Sequence, residues 1–529
     1  MGLWAEDLYK NRLKSTWKLA FFSAFFIGLL VHMFKLANVL PYWDSLMNHY
    51  SSQDMVASGR WFLSVACSLS SHFDLPWLNG ILSLLLLGIT AAVIAEHFGM
   101  ESPVLIILSS GLLVSFPAVT ATFAYSYTAD GYMVAMLLAA LAATLSRVED
   151  IRPDRWKRLL LSSLLLCLSC GIYQAYVSFA FMLAVGRAIL ELLEGKHRPK
   201  DFLRWIGAQV LIFGIALGAC YGLWKLILLI RHIPATTYQG LDGVGSAAPG
   251  DAVLRILRDL VLLIVQWNFF ERGITAYAVL NILTVAVFFI GLLLRLRQSD
   301  ADRSPCRVAL LVLLVIAIPF GCYIWHFASN GVYYHPVMLQ SAVIFFILTG
   351  TVYDRWFSGK AATAAALLLA AVIFSNSVSA NVFYDRMHLR YERDYSTAVE
   401  LNTRIHLVDD GSARAIVFYG DPQVPETEDA VYKALGGCWL PERSLTSWYF
   451  LDLYTDFELP YYRVSGEPYP VRGYGPQDPV PWDTELRTPL LSEEEWSGMG
   501  LEPAVSAMPL WPAAGSVERI GDVIVVRFS

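Results

Sequence analysis

The sequence predicts an all-α polytopic membrane domain of about eleven transmembrane helices, residues 1–380, followed by a small extracytoplasmic α/β domain, residues 381–529. Three observations predict it. Of 529 residues, 56% are hydrophobic and 16% charged, where a soluble domain is about 45–50% apolar and about 25% charged. Apolar runs near the roughly 20 residues needed to cross a bilayer recur as far as residue 380. Composition then changes, and thirteen of the 24 prolines lie after residue 381.

The spans are read at 17–38, 76–97, 102–118, 128–146, 156–170, 172–193, 204–230, 273–296, 307–328, 336–353 and 361–380. Residues 156–193 are divided because "SCGIYQAY" (169–176) puts glycine and polar residues in the middle, as a tight hairpin requires. The stretch 251–273 carries Arg255, Arg258 and Asp259 near its start. Charges at the bilayer centre are expensive, so it is read as an amphipathic helix lying in the interface. The seven cysteines are an odd number and sit mostly in apolar runs. Cys167 and Cys170 fall inside a span and are read as small buried hydrophobes. No cleavable signal peptide is read at the first run.

Orientation follows from where the basic residues fall. Lys10, Arg12, Lys14 and Lys18 precede or open the first span, which puts the N-terminus in the cytoplasm. The turns 147–158, 186–204, 295–307 and 354–360 are then also cytoplasmic, and all are rich in Lys and Arg. Residues 39–75, 119–127, 170–172, 231–272, 329–335 and the tail face outward. In the tail, "ARAIVFYGD" (413–421) and "GDVIVVRFS" (521–529) read as strands bounded by glycine. Ser492 and Glu495 stand at capping-box spacing before a helix. The proline- and glycine-rich stretch 465–483 reads as irregular loop.

The outward ends collect polar residues from distant parts of the chain. Asp44, His49, Asp54 and Arg60 come from the first loop. Asp130 opens the fourth span, Tyr173, Gln174 and Tyr176 the sixth, and Arg231 with His232 closes the seventh. Tyr333, Tyr334 and His335 precede the tenth. Such groups beside lipid need partners or a use, and convergence from five elements suggests a cavity. A carboxylate can take the proton of a sugar hydroxyl that attacks an anomeric carbon. An arginine can hold a phosphate leaving group through charge-assisted hydrogen bonds. Outside the cytoplasm an activated sugar arrives on a lipid phosphate, at this depth.

The order of "YWDSLMNHYSSQDMVASGRWF" (42–62), "LPWLNG" (75–80), "GIYQAY" (171–176) and the closing "GSVERIGDVIVVRFS" (515–529) resembles the bacterial Gtr-type glucosyltransferases, including the serotype-converting O-antigen enzymes. The resemblance implies a GT-C-type fold and transfer of a hexose, glucose, from a polyprenyl-phosphate-linked donor such as undecaprenyl phosphate glucose. The acceptor is a surface glycan, and the enzyme sits in the bacterial inner membrane among its lipids. It implies no nucleotide, no cofactor and no obligatory metal. The first-loop Asp is the family's expected base, a role mapped onto Asp44. Many members carry two adjacent acids there. This chain has Ser45 next to Asp44, which leaves Asp54 as the candidate second acid.

Two other functions make different demands on the sequence. A lipid-linked-sugar flippase would show broken helices at the midplane and paired repeats, and the sequence shows neither. A non-catalytic assembly protein would tolerate changes at Asp44 and Arg60. The net charge of −6 is spread without a basic tract, which argues against nucleic acid as a partner.

Overall fold

The computed structural model describes residues 13–41, 55–71, 73–147, 156–195, 197–236, 238–265, 276–298, 305–413, 415–420, 461–464 and 493–528. Two compact units result. One ends at Val382, and the other begins at Phe383 and also takes in Leu40 and Pro41.

The first unit is helical throughout. Its elements are α1 (Ser15–Ala37), the short α2 (Leu63–Cys67), α3 (Pro76–Phe98), α4 (Pro103–Ser115), α5 (Pro117–Ala124), α6 (Ser126–Leu145), α7 (Trp156–Ile172), α8 (Tyr176–Glu194), α9 (Pro199–Arg231), α10 (Pro249–Val265), α11 (Ala276–Gln298), α12 (Pro305–Cys322), α13 (Val343–Trp356) and the start of α14 (Lys360–Val408). Helix α3 packs against α1 and α6, α7 against α6 and α9, and α8 against α6 and α12. Close approach of α1 and α3 depends on small residues: a Cβ on Gly80 would lie 1.8 Å from Leu36 Cδ2, and one on Gly88 2.7 Å from Phe21 Cδ2.

Each apolar run has its helix. Among the described residues eight helices are long and apolar enough to cross a membrane, or nine if a bent pair counts as one span. Helix α7 has 17 residues and α13 has 14. At about 1.5 Å per residue α13 falls short of a bilayer core of about 30 Å, while α7 is described from Trp156 onward. The tenth run loses its first half because Pro336 opens a 3₁₀ turn, Pro336–Met338, followed by a second at Gln340–Ala342. The bent pair, α4 and α5, departs from the expectation of unbroken helices by 41°. Its cause is local. Pro117 disfavours helical geometry in the residue before it, and Phe116 takes φ −60 and ψ 136.

Other expectations are met. Helix α7 ends at Ile172 and α8 starts at Tyr176, so the division at "GIYQAY" is a real hairpin. Helix α10 has Ala252 and Ile256 buried and Leu254, Leu257 and Val261 exposed.

One end of the unit gathers the basic turns. Lys14 and the Trp17 indole reach Glu96, Arg187 pairs with Glu191, and Arg355 pairs with Glu194. Arg187, Arg355, Arg295 and Arg307 donate to the carbonyls of His97, Phe98, Leu193 and His197. Three of those carbonyls close α3 or α8, where helix dipoles favour cations.

The second unit holds the end of α14, the short helices α15 (Glu493–Met499) and α16 (Glu502–Ala507), and a four-stranded sheet. Strand β1 (Ala415–Tyr419) runs parallel to β2 (Tyr461–Val464) and to β4 (Val523–Arg527). Strand β3 (Val517–Ile520) pairs antiparallel with β4, giving the order β2-β1-β4-β3. Alternation fills both faces. Ile416, Phe418, Ile524 and Val526 pack with Ala398, Leu401 and Ile405 of α14. Val417, Val523 and Val525 pack with Trp496, Val505 and Met508. Two-sided burial explains the unbroken apolar runs in β1 and β4.

Candidate active site

Two sequence segments more than a hundred residues apart meet at the end of the helical unit away from the basic turns. The segment Val56–Trp61 is pinned by its backbone. Trp224 Nε1 donates to Val56 O at 2.7 Å, Gln174 Nε2 to Ser58 O at 3.1 Å, and Phe62 N to Gly171 O at 2.8 Å. Glycines make the approach possible. A Cβ on Gly171 would stand 2.5 Å from the Trp61 ring, and one on Gly59 2.5 Å from Gln174 Nε2. Gly59 also has φ 83, a left-handed turn that glycine enters without strain. "GRW" and "GIYQAY" therefore form one packed unit.

This packing sets Arg60. Its guanidinium lies 4.7 Å from the centroid of the Tyr173 ring, and Nη1 touches Met55 Sδ at 3.0 Å. Tyr173 stacks on Tyr132 of α6 at 4.8 Å and 13°. Tyr176 closes the group at 6.1 Å from Tyr173 and 6.4 Å from Tyr132. All three tyrosines are buried. His335 is buried beside Tyr333, ring to ring at 4.6 Å. Burial, and then the charge of Arg60, push its imidazole down to about 4, so it is neutral near pH 7.

Tyr334 extends the aromatic group. Its ring lies 4.8 Å from Tyr323 and 4.9 Å from His326, and its hydroxyl accepts from Trp325 N at 2.9 Å. Burial lifts the Tyr334 phenol well above the usual range, so it remains an O–H group. His326 Nε2 lies 2.8 Å from Asp259 Oδ2. Burial tends to raise the Asp259 carboxyl. The hydrogen bonds from His326 and Arg258, with the charge of Arg258, outweigh it and hold the group below the usual carboxylate range.

Asp130 is fully buried on α6. Ser70 and the Gly131 amide stand beside it, yet neither carboxylate oxygen completes a hydrogen bond among the described residues. One turn earlier on the same helix, Ser126 Oγ accepts from the buried Lys35 at 3.2 Å.

Of the residues singled out in the sequence, Arg60, Tyr173, Gln174, Tyr176 and His335 are brought together, and Asp130 lies on the helix that supplies Tyr132. Arg231 and His232 are exposed where α9 ends, and His232 closes that helix with φ 54. Asp44, His49 and Asp54 lie outside the described residues. Lys35, Tyr132 and the Asp259–His326 pair were missed. Lys35 carried a readable signal, an ionisable residue inside an apolar run. Asp259 and His326 are 67 residues apart and share no local pattern. Among the described residues no three His, Cys, Asp or Glu side chains form a metal-ligand group.

A guanidinium on an aromatic face, with neutral imidazole and phenols around it, suits an anion attached to a sugar ring. The family described as Glucosyl transferase GtrII matches residues 33–353, more than half of the chain. No match was found among the curated proteins or the solved structures.

Proposed function

The chain belongs to the glucosyl transferase GtrII family, and from that premise we propose that it moves glucose from a polyprenyl-phosphate donor to a cell-surface polysaccharide. The reaction takes place on the extracytoplasmic side of the bacterial inner membrane, with the N-terminus cytoplasmic and the C-terminal domain outside. The chain is thus a membrane glucosyltransferase whose donor, acceptor and base are assigned as follows.

Asp44 is the general base and Asp54 an auxiliary acid. The acceptor hydroxyl attacks the anomeric carbon and its proton passes to Asp44. The bond from that carbon to the phosphate oxygen breaks, and its electron pair leaves with the polyprenyl phosphate. Arg60 takes the growing negative charge through charge-assisted hydrogen bonds. Tyr173, Tyr176 and Gln174 shape the sugar site, with Asp130, His49, Arg231, His232 and His335 as further substrate contacts. A single displacement inverts the anomeric configuration. The observation that carries this reading is the seating of Arg60 on Tyr173 by the packed "GRW" and "GIYQAY" segments.

The test uses membranes bearing Asp44→Asn, polyprenyl-phosphate glucose and acceptor glycan. Loss of a positioned base is expected to lower transfer by about 100-fold or more. Normal amounts of variant protein working at the wild-type rate would remove Asp44 from the role.

A further inference from the structure

Asp259 and His326 come from α10 and from the turn after α12, and the reaction above gives neither a role. Asp259 Oδ2 and His326 Nε2 are 2.8 Å apart, and the Tyr323 hydroxyl donates to the Asp259 carbonyl at 2.9 Å. A carboxylate partner places the proton of a neutral imidazole on Nε2 and leaves the lone pair on Nδ1. His326 is 1% exposed, and Nδ1 is buried with no hydrogen-bond partner among the described residues. An acceptor left in that state is a standing cost to the fold. Tyr334 and Tyr323 flank the imidazole, with ring centroids 4.9 and 6.2 Å away.

Tyr334 links the pair to the proposed phosphate site. Its ring lies against the imidazole, and it is within electrostatic range of Tyr173, whose ring carries the Arg60 guanidinium. Its chain neighbour His335 is likewise within range of the Arg60 charge. We propose that His326 Nδ1 accepts a hydrogen bond from one hydroxyl of the hexose on the donor, and that Asp259 is the positioning residue that presents it. The inference rests on the reading of the chain as a polyprenyl-phosphate-dependent glucosyltransferase. With phosphate at Arg60, the sugar is joined to it through one oxygen and its hydroxyls extend a ring's width away.

Isosteric changes separate the two ring nitrogens. His326→Gln places an amide near Nε2, which keeps the contact with Asp259 but removes the acceptor at Nδ1. His326→Asn places its amide near Nδ1 and gives up Asp259. The full chain, in detergent or liposomes, is assayed with polyprenyl-phosphate glucose and its monodeoxy analogues. Wild type should lose about tenfold or more in kcat/KM with one analogue. H326Q should lose a similar factor with the glucose donor and show no preference for that hydroxyl, and H326N should recover part of it. A pair that only fastens α10 to the turn predicts the reverse: H326Q, as heat-stable as wild type, would discriminate every analogue as wild type does. That result overturns the proposal while leaving the transferase reading intact. Failure of wild type to transfer from the glucose donor removes the parent reading, and this proposal with it.

Discussion

The guanidinium of Arg60 rests 4.7 Å above the ring of Tyr173, from a segment more than a hundred residues earlier in the chain. A guanidinium stacked on an aromatic face presents its N–H fork in a geometry that matches two phosphate oxygens. Arg60→Lys keeps the charge and loses both the fork and the stacking, so kcat/KM should fall by about tenfold. Arg60→Ala should cost about 100-fold or more. Donor-saturation curves should show the loss in KM for the polyprenyl phosphate as well as in kcat. Full activity in Arg60→Ala would deny the residue any part in phosphate binding.

Gly59 sets that geometry. Its φ of 83 is unfavourable for any side chain, and a Cβ would lie 2.5 Å from Gln174 Nε2. Gly59→Ala should destabilise the helical unit by about 1–2 kcal/mol and displace Arg60, lowering transfer by more than the stability loss explains. Adding Gln174→Ala relieves the clash but leaves the backbone strain. The double variant should therefore recover only part of the melting temperature. Wild-type melting and transfer in Gly59→Ala would refute the account.

Local patterns made most helices and both central strands readable. Length and hydropathy located the runs, and the Gly171–Gln174 interruption marked a hairpin. What could not be read depends on backbone detail or on distant partners. Pro117 bends a continuous apolar run, and hydropathy does not register a bend. Pro336 and the two 3₁₀ turns after it shorten α13. Arg60 and Tyr173 were legible one at a time as polar groups at helix ends, because such groups stand out against lipid. Their mutual contact was not legible, since it depends on two glycines admitting one segment to another. Asp259 read as a charge on an amphipathic face. Only the fold shows that His326 takes up its carboxylate.

The orientation of the unit can be read with a thiol reagent. Cys306 is the exposed cysteine among those described, and it sits in a basic turn read as cytoplasmic. Cys438 lies in the tail read as extracytoplasmic and is replaced by serine for this test. A membrane-impermeant maleimide should then spare Cys306 in spheroplasts and label it in inverted vesicles. Labelling in spheroplasts alone would turn the molecule over and place Arg60 on the cytoplasmic side.

His335 gives a pH dependence of definite sign. Its imidazole stands at about 4 in the fold against an ordinary 6.5, so between those values the unfolded chain binds more protons. Stability is then complete above pH 6.5 and falls as pH drops towards 4. The loss between pH 7 and pH 5 is about 2 kcal/mol. His335→Gln removes this contribution, so its melting temperature should vary less over that range than that of wild type. An equal slope in the two proteins would mean that His335 is not the group responsible.

Asp130 separates stability from activity. It is fully buried, and neither of its oxygens completes a hydrogen bond among the described residues. Lys35 stands one helical turn away, at Ser126 on the same face of α6. A buried carboxylate whose hydrogen bonds are not completed opposes folding, and an acid retained inside a membrane helix bundle is by default a functional one. Asparagine has the same shape without the charge. Asp130→Asn should therefore leave the melting temperature unchanged or raise stability by on the order of 1 kcal/mol, the exchange commonly seen when a working residue is neutralised. Transfer should fall by about tenfold or more, because a neutral amide cannot give a sugar hydroxyl an anionic acceptor. Thermal unfolding and donor turnover measured on the same preparation decide the matter. A variant that melts earlier and turns over at the wild-type rate per folded molecule would make Asp130 a structural residue.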